Sequence, residues 1–95
     1  LVCKSLLGKA HTVMAEGGMA ASLSKADPRD NWEAHFRDTI RGGKYLNNWR
    51  MVEIFCQEAA ERVNELEEWG ALFDRTKEGL IGQRNFGGHR YPRYQ

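Results

Sequence analysis

The chain has 95 residues with 14 Lys+Arg against 13 Asp+Glu, a formal net charge of +1, which bounds it to one small domain or a piece of a larger one. With 41% hydrophobic and 28% charged residues, its composition is globular rather than disordered, and the near-neutral balance argues against a dedicated nucleic-acid binder. No apolar run approaches the ~20 residues of a membrane-spanning helix, and the first segment has no pattern of a secretory signal.

Leu1-Val2-Cys3 is short and apolar and reads as the end of a buried strand. From Ser5 to Gly18 neither the helical nor the strand period is sustained, so this segment is expected to be an ordered loop that runs into a tight turn at Gly17-Gly18. Asp27-Pro28-Arg29-Asp30 reads as a helix start, with Asp27 as cap and Pro28 at the first helical position. Trp32, Phe36 and Ile40 give that helix one apolar stripe, and Gly42-Gly43 ends it. Asn47 or Asn48 caps a second helix of about twenty residues, in which Val52, Phe55, Ala59, Val63 and Leu66 follow the three-four spacing. Glu58, Glu61, Glu65, Glu67 and Glu68 lie mostly on its other face, and Gly70 follows its end, with Leu72-Phe73 expected to fold back onto the last turn. Lys77-Glu78-Gly79 lies between two short apolar-containing runs and predicts a two-stranded hairpin. The tail from Arg90 to Gln95 shows no clear period.

Cys3 and Cys56 share no metal-type spacing and are expected to be buried free thiols. His11, His35 and His89 are too far apart to make a local metal motif, and His35 is expected to be a partly exposed helix residue. The serines lack a nucleophile elbow, and Gly42-Gly43-Lys44 lacks the phosphate-loop spacing. The segment from His11 to Gly18 differs in kind: a histidine opens an aperiodic loop that ends in a double glycine. Such backbone lets a planar ligand approach the amides, although residue types alone do not separate this from an ordinary surface loop with an incidental histidine, the more common case. Trp32, Trp49 and Trp69 are a large apolar load for so few elements, so part of that surface is expected to face structure outside these residues.

Three stretches closely resemble the flavoprotein subunit of succinate dehydrogenase and fumarate reductase: KSLLGKAHTVMAEGG at 4–18, DPRDNWEAHFRDTIRGGKYLNNWRM at 27–51, and GALFDRTKEGLIGQRNFGGH at 70–89. The resemblance implies an α/β fold (α+β for these residues in isolation), a piece of a Rossmann-like FAD-binding domain with two helices and a β-hairpin. The family's G-x-G-x-x-G strand-turn-helix is expected before residue 1, and its capping and catalytic regions beyond residue 95. Arg84, Arg90 and Arg93 do not match the family's catalytic arginine, so no catalytic residue is expected within these 95.

By the same resemblance, His11 is the covalent attachment point for the 8α-methyl of FAD, where histidine supplies a neutral imidazole nucleophile near pH 7. Cys3, Lys4, Ser5 and the loop through Ala10 correspond to contacts with the nucleotide half of FAD. Thr12, Ala15, Glu16, Gly17 and Gly18 correspond to those along the isoalloxazine, and Gly17 and Phe86 to positions beside the substrate. The implied enzyme interconverts succinate and fumarate and passes electrons to an iron–sulfur subunit, membrane-anchor subunits and a quinone. It would sit peripherally on the cytoplasmic face of a bacterial inner membrane. These 95 residues alone would be inactive. Two other readings stay open: a non-catalytic helical interaction module descended from this family, and a non-covalent FAD relative such as an L-aspartate oxidase.

Overall fold

The computed structural model describes residues 2–15, 17–25 and 27–95. Among the described residues three helices follow one another: α1 (His11–Met14), α2 (Trp32–Gly42) and α3 (Trp49–Glu68). The segment expected to be a loop thus contains one helical turn, α1, which has no side-chain cap at Ala10 and buries no residue. The expected buried strand end is also absent where it is described. Val2 is fully exposed and Cys3 is exposed, whereas Cys56 is buried; of the two cysteines, only Cys56 is the interior thiol anticipated.

The start of α2 lies later than the proline suggests. Asn31 is the cap, and its Oδ1 accepts the Ala34 amide at 2.8 Å. Asp27 instead closes the preceding turn: its Oδ1 accepts the Arg29 backbone amide at 3.0 Å, and its two oxygens hold the Arg29 guanidinium. The buried face of α2 also differs from the apolar stripe. Trp32, Phe36 and Ile40 are only half-buried, while His35 and Asp38 are buried.

The second long helix, α3, has the expected cap and length, but its buried line is shifted: Phe55 of the predicted stripe is 53% exposed, Val52 and Leu66 are half-buried, and Cys56 lies inside instead. Asn48 caps it by accepting the Met51 amide at 3.3 Å, and Cys56, Ala59 and Val63 form its buried line. At its end the Gly70 amide reaches the Glu67 carbonyl and the Ala71 amide reaches Leu66. This pair of bonds requires the left-handed φ of 103° that Gly70 adopts. Phe73 then packs on the core, but Leu72 points into solvent at 99% exposure, so only one of the two residues folds back.

The core is small: Ala21, Ala59, Val63 and Ile81, flanked by Leu23 and Phe73. The predicted hairpin is reduced to one antiparallel bridge, Arg75–Ile81, around a turn in which the Gly79 amide donates to Thr76. The ladder goes no further because the chain beyond Gly82 pairs elsewhere. Arg84 exchanges hydrogen bonds with Tyr94, and Tyr94 is bridged on its other side to Ala20. The aperiodic tail therefore lies between residues 19–21 and residue 84 and joins the two ends of the chain.

Many large apolar groups remain on the surface, among them Leu6, Leu7, Trp49, Ile54, Phe55 and Trp69. None of the helices, over the described residues, is long and apolar enough to cross a membrane.

Candidate functional site

Residues 2–15 run along the surface with every side chain exposed. The bonds that shape this segment are local: Lys9 amide to Leu6 carbonyl at 3.1 Å, Val13 to Ala10 at 3.2 Å, and Ala15 to Thr12 at 3.3 Å. Gly8 makes the first turn possible with φ 76°. Cys3, Lys4, Ser5, Ala10, His11, Thr12 and Ala15 are thus displayed along one continuous exposed stretch. They are not gathered into a pocket. Glu16 lies outside the described residues.

Gly17 and Gly18 are where this stretch meets the body of the protein. Gly17 has φ 115°, and a β-carbon there would lie 3.0 Å from the Tyr94 hydroxyl. A β-carbon on Gly18 would overlap the Gln95 carbonyl oxygen. The double glycine is therefore needed by the tail packed against one side of it, a requirement separate from any ligand. Both glycines remain exposed on the rest of their surface. Met19 and Gln95 exchange backbone bonds of 3.3 and 2.9 Å, and the Ala21 amide donates to the Arg93 carbonyl at 3.0 Å.

Phe86 joins the same assembly. Its ring stacks on Tyr94 with centroids 4.6 Å apart and planes 10° from parallel, leaving 57% of Phe86 exposed. Tyr94 thus touches both the Gly17 side and Phe86, the two positions expected beside the substrate. A groove lined by Ser22, Lys25, Asn64, Arg75 and Ile81 contains none of these residues.

Behind the tail lies a buried ionic cluster. Arg93 is fully buried; its Nε and Nη2 donate to the two oxygens of Asp30 at 2.6 Å, and its Nη1 donates to Asp38 Oδ2 at 2.6 Å. Asp38 also accepts the Arg90 backbone amide at 2.8 Å and pairs with Arg41 at 2.9 Å. Burial alone would lower the Arg93 pKa, but its bonds to Asp30 and Asp38 outweigh this and raise it. Burial would raise the Asp38 pKa, and the Arg90 amide and Arg93 reverse that shift. His89 Nδ1 lies 3.1 Å from Arg93 Nη1; burial and the nearby guanidinium both lower its pKa. His35, 1% exposed, stands edge-on to Phe55 at 5.6 Å. Its pKa is lowered to about 4 by burial first and then by Arg93 and His89, so it is a neutral interior residue, not the partly exposed one expected.

Sequence reasoning misses Arg93, Tyr94 and Gln95. The one available signal is the polar pair His35 and Asp38, three residues apart on one face of α2, which calls for a buried partner. No group of three His, Cys, Asp or Glu among the described residues is placed to hold a metal.

The arrangement fits a flavin in one respect: the exposed residues 3–15 and 17–18, His11 among them, leave room for a large planar group. Comparison with known proteins agrees. The profile of a family described as "FAD binding domain" matches residues 3–95. One subunit of the fumarate reductase (CoM/CoB) of Methanothermobacter marburgensis is 51% identical over 86% of this chain and 15% of its own. The succinate dehydrogenase flavoprotein subunit of Rickettsia felis is 41% identical over 84% of this chain and 13% of its own. The solved structure of Mycobacterium smegmatis Sdh1 in complex with UQ1 superposes with a TM-score of 0.88 at 67% identity, covering 96% of this chain and 15% of that one. The chain thus spans about 15% of the length of the methanogen relative. On these matches the chain belongs to the FAD-binding domain family, whose members here are flavoprotein subunits of succinate dehydrogenase and subunits of fumarate reductase.

Proposed function

We propose that these 95 residues are an internal part of the FAD-binding domain of a flavoprotein that interconverts succinate and fumarate. The observation that carries this reading is the exposed His11 segment ending in a double glycine held beside Phe86 by Tyr94. Bound FAD supplies two-electron redox chemistry. His11 offers an imidazole nitrogen for covalent attachment at the 8α-methyl. Cys3, Lys4, Ser5 and Ala10 hold the nucleotide half, with the Lys4 ammonium suited to phosphate charge. Thr12, Ala15, Glu16, Gly17 and Gly18 follow the isoalloxazine, where free amides favour electron-rich atoms. Phe86 forms an apolar wall beside the substrate and helps exclude water.

The reaction's proton-transferring group, the pyrophosphate-binding glycine turn and the capping region belong to other parts of the protein in this reading. The exposed Trp49, Trp69, Ile54 and Phe55 support it, since apolar surface on this scale marks contact with further structure. The partners are membrane-anchor subunits and an iron–sulfur subunit, with electrons passing to a quinone. The protein is peripheral on the cytoplasmic face of a bacterial inner membrane. Residues 1–95 alone are inactive.

The test is acid denaturation of the full-length protein followed by mass spectrometry of the peptide containing His11. A flavin adduct on His11, with succinate oxidation by the intact protein, is the expected result. Flavin released entirely into the supernatant would reject covalent attachment and favour a non-covalent relative. A flavin-free protein would favour the interaction module.

A further inference from the structure

Arg93 is buried for its whole length, yet it lies in a tail without regular secondary structure. Its guanidinium is fixed to α2 through Asp38, and through Asp30 to the residue before the helix cap Asn31. Its own carbonyl is fixed to the Ala21 amide, and the next two residues are the ones packed against Gly17 and Gly18. Three donors on one planar group leave the guanidinium little freedom to rotate or slide. The position of Tyr94 and Gln95, and with it that of the double glycine and of Phe86 stacked on Tyr94, is therefore referred to α2 through Arg93, with the Arg90 amide on Asp38 as a second tie three residues earlier.

We infer that Arg93 is a positioning residue for the flavin site, setting the placement of Gly17-Gly18 and Phe86 through the backbone of residues 93–95. This rests on the reading of residues 3–18 as the flavin segment. Among the described residues, the side-chain hydrogen bonds of Arg93 go to Asp30, Asp38 and His89 and to no residue assigned to FAD. Its role is geometric, and lysine cannot fill it: a single ammonium lacks the fork that binds both oxygens of Asp30 while also reaching Asp38.

The test uses the full-length protein and three variants: Arg93→Lys, Asp38→Asn and Gly70→Ala. Gly70→Ala is a stability control, because Gly70 needs its positive φ at the far end of α3 and lies outside the cluster. The readouts, taken on the folded fraction, are the rate of covalent FAD attachment, the visible flavin spectrum, and hydrogen exchange at the Met19 and Ala21 amides. Misplacement of a reacting group by about 1 Å costs up to about 100-fold in rate, so Arg93→Lys is expected to slow attachment by about tenfold or more. It should also shift the flavin spectrum and speed exchange at Met19 and Ala21, and Asp38→Asn should do the same to a lesser degree. Gly70→Ala should lower the melting temperature with all three readouts unchanged.

Wild-type attachment and spectrum in Arg93→Lys would overturn the inference, as would a Gly70→Ala protein that matches it. If Arg93→Lys yields no folded protein, Asp38→Asn decides by the same criteria. If the wild type itself holds FAD only non-covalently, the role of His11 has failed independently. FAD affinity and spectrum then replace attachment rate, and equal values for wild type and Arg93→Lys would reject the positioning role. If the wild type holds no FAD at all, both the flavin reading and this inference fall.

Discussion

Gly18 lies so close to the carbonyl oxygen of Gln95 that a β-carbon at position 18 would overlap it. Backbone cannot move aside as a flexible side chain does. Gly18→Ala should therefore push the tail off residues 17–21 and cost roughly 1–3 kcal/mol, as overpacking does. Gly87, with open space where its β-carbon would be, is the comparison: Gly87→Ala should stay within about 0.5 kcal/mol. Denaturant midpoints of the two variants give the contrast, and equal midpoints would contradict it.

Asp30 and Arg93 form a two-pronged pair with almost no solvent contact. Removing Asp30 leaves the buried guanidinium of Arg93 with Asp38 alone of its two carboxylates, so Asp30→Ala should cost up to about 3–5 kcal/mol. Replacing both, as in Asp30→Leu with Arg93→Met, should cost much less than the sum of the single changes. A double-mutant cycle measured by equilibrium unfolding checks this, and additive losses would show that the pair does not act as a unit.

His35 sets a pH dependence. Its pKa is about 4 in the folded protein, against an ordinary histidine value of 6.5. Between these values the unfolded chain binds a proton that the folded chain refuses, so stability must fall as pH drops from about 6.5 to about 4. The slope from this one residue is at most about 1.4 kcal/mol per pH unit. Asp38, whose pKa is lowered, adds its own loss only at still lower pH. Melting curves across this window should be flatter for His35→Gln than for wild type, and parallel curves would contradict the assignment.

The two thiols should separate under a soluble alkylating reagent. Cys3 is exposed, whereas burial raises the pKa of the Cys56 thiol and closes access to it. In the flavin-free protein Cys3 should react at once and Cys56 only with unfolding. Peptide mapping after a short exposure distinguishes them, and early labelling of Cys56 would show that α3 opens locally.

What can be read from sequence divides by distance along the chain. The boundaries of α3 follow from its own residues: Asn48, the stripe through Val63, and Gly70. The start of α2 is ambiguous because Asp27-Pro28 and Asn31 both offer local starts, and the choice depends on Asp30, held by a residue 63 positions away. The short ladder after Gly79 has the same cause, since Arg84 takes Tyr94 as partner. For the segment from His11 to Gly18, residue pattern supplies the residue types, but the contact at Gly17 and Gly18 comes from a tail with no period of its own. Local pattern cannot report a buried ion pair whose halves lie so far apart.

The 63-residue separation of Asp30 and Arg93 also sets an order of events during synthesis. At roughly 5–20 residues per second, Asp30 leaves the ribosome about 3–13 s before Arg93 does. Helices α2 and α3 can pair within that interval, but two carboxylates must stay hydrated until the tail arrives. The double glycine therefore acquires its backing only once residues 93–95 have emerged, well after His11.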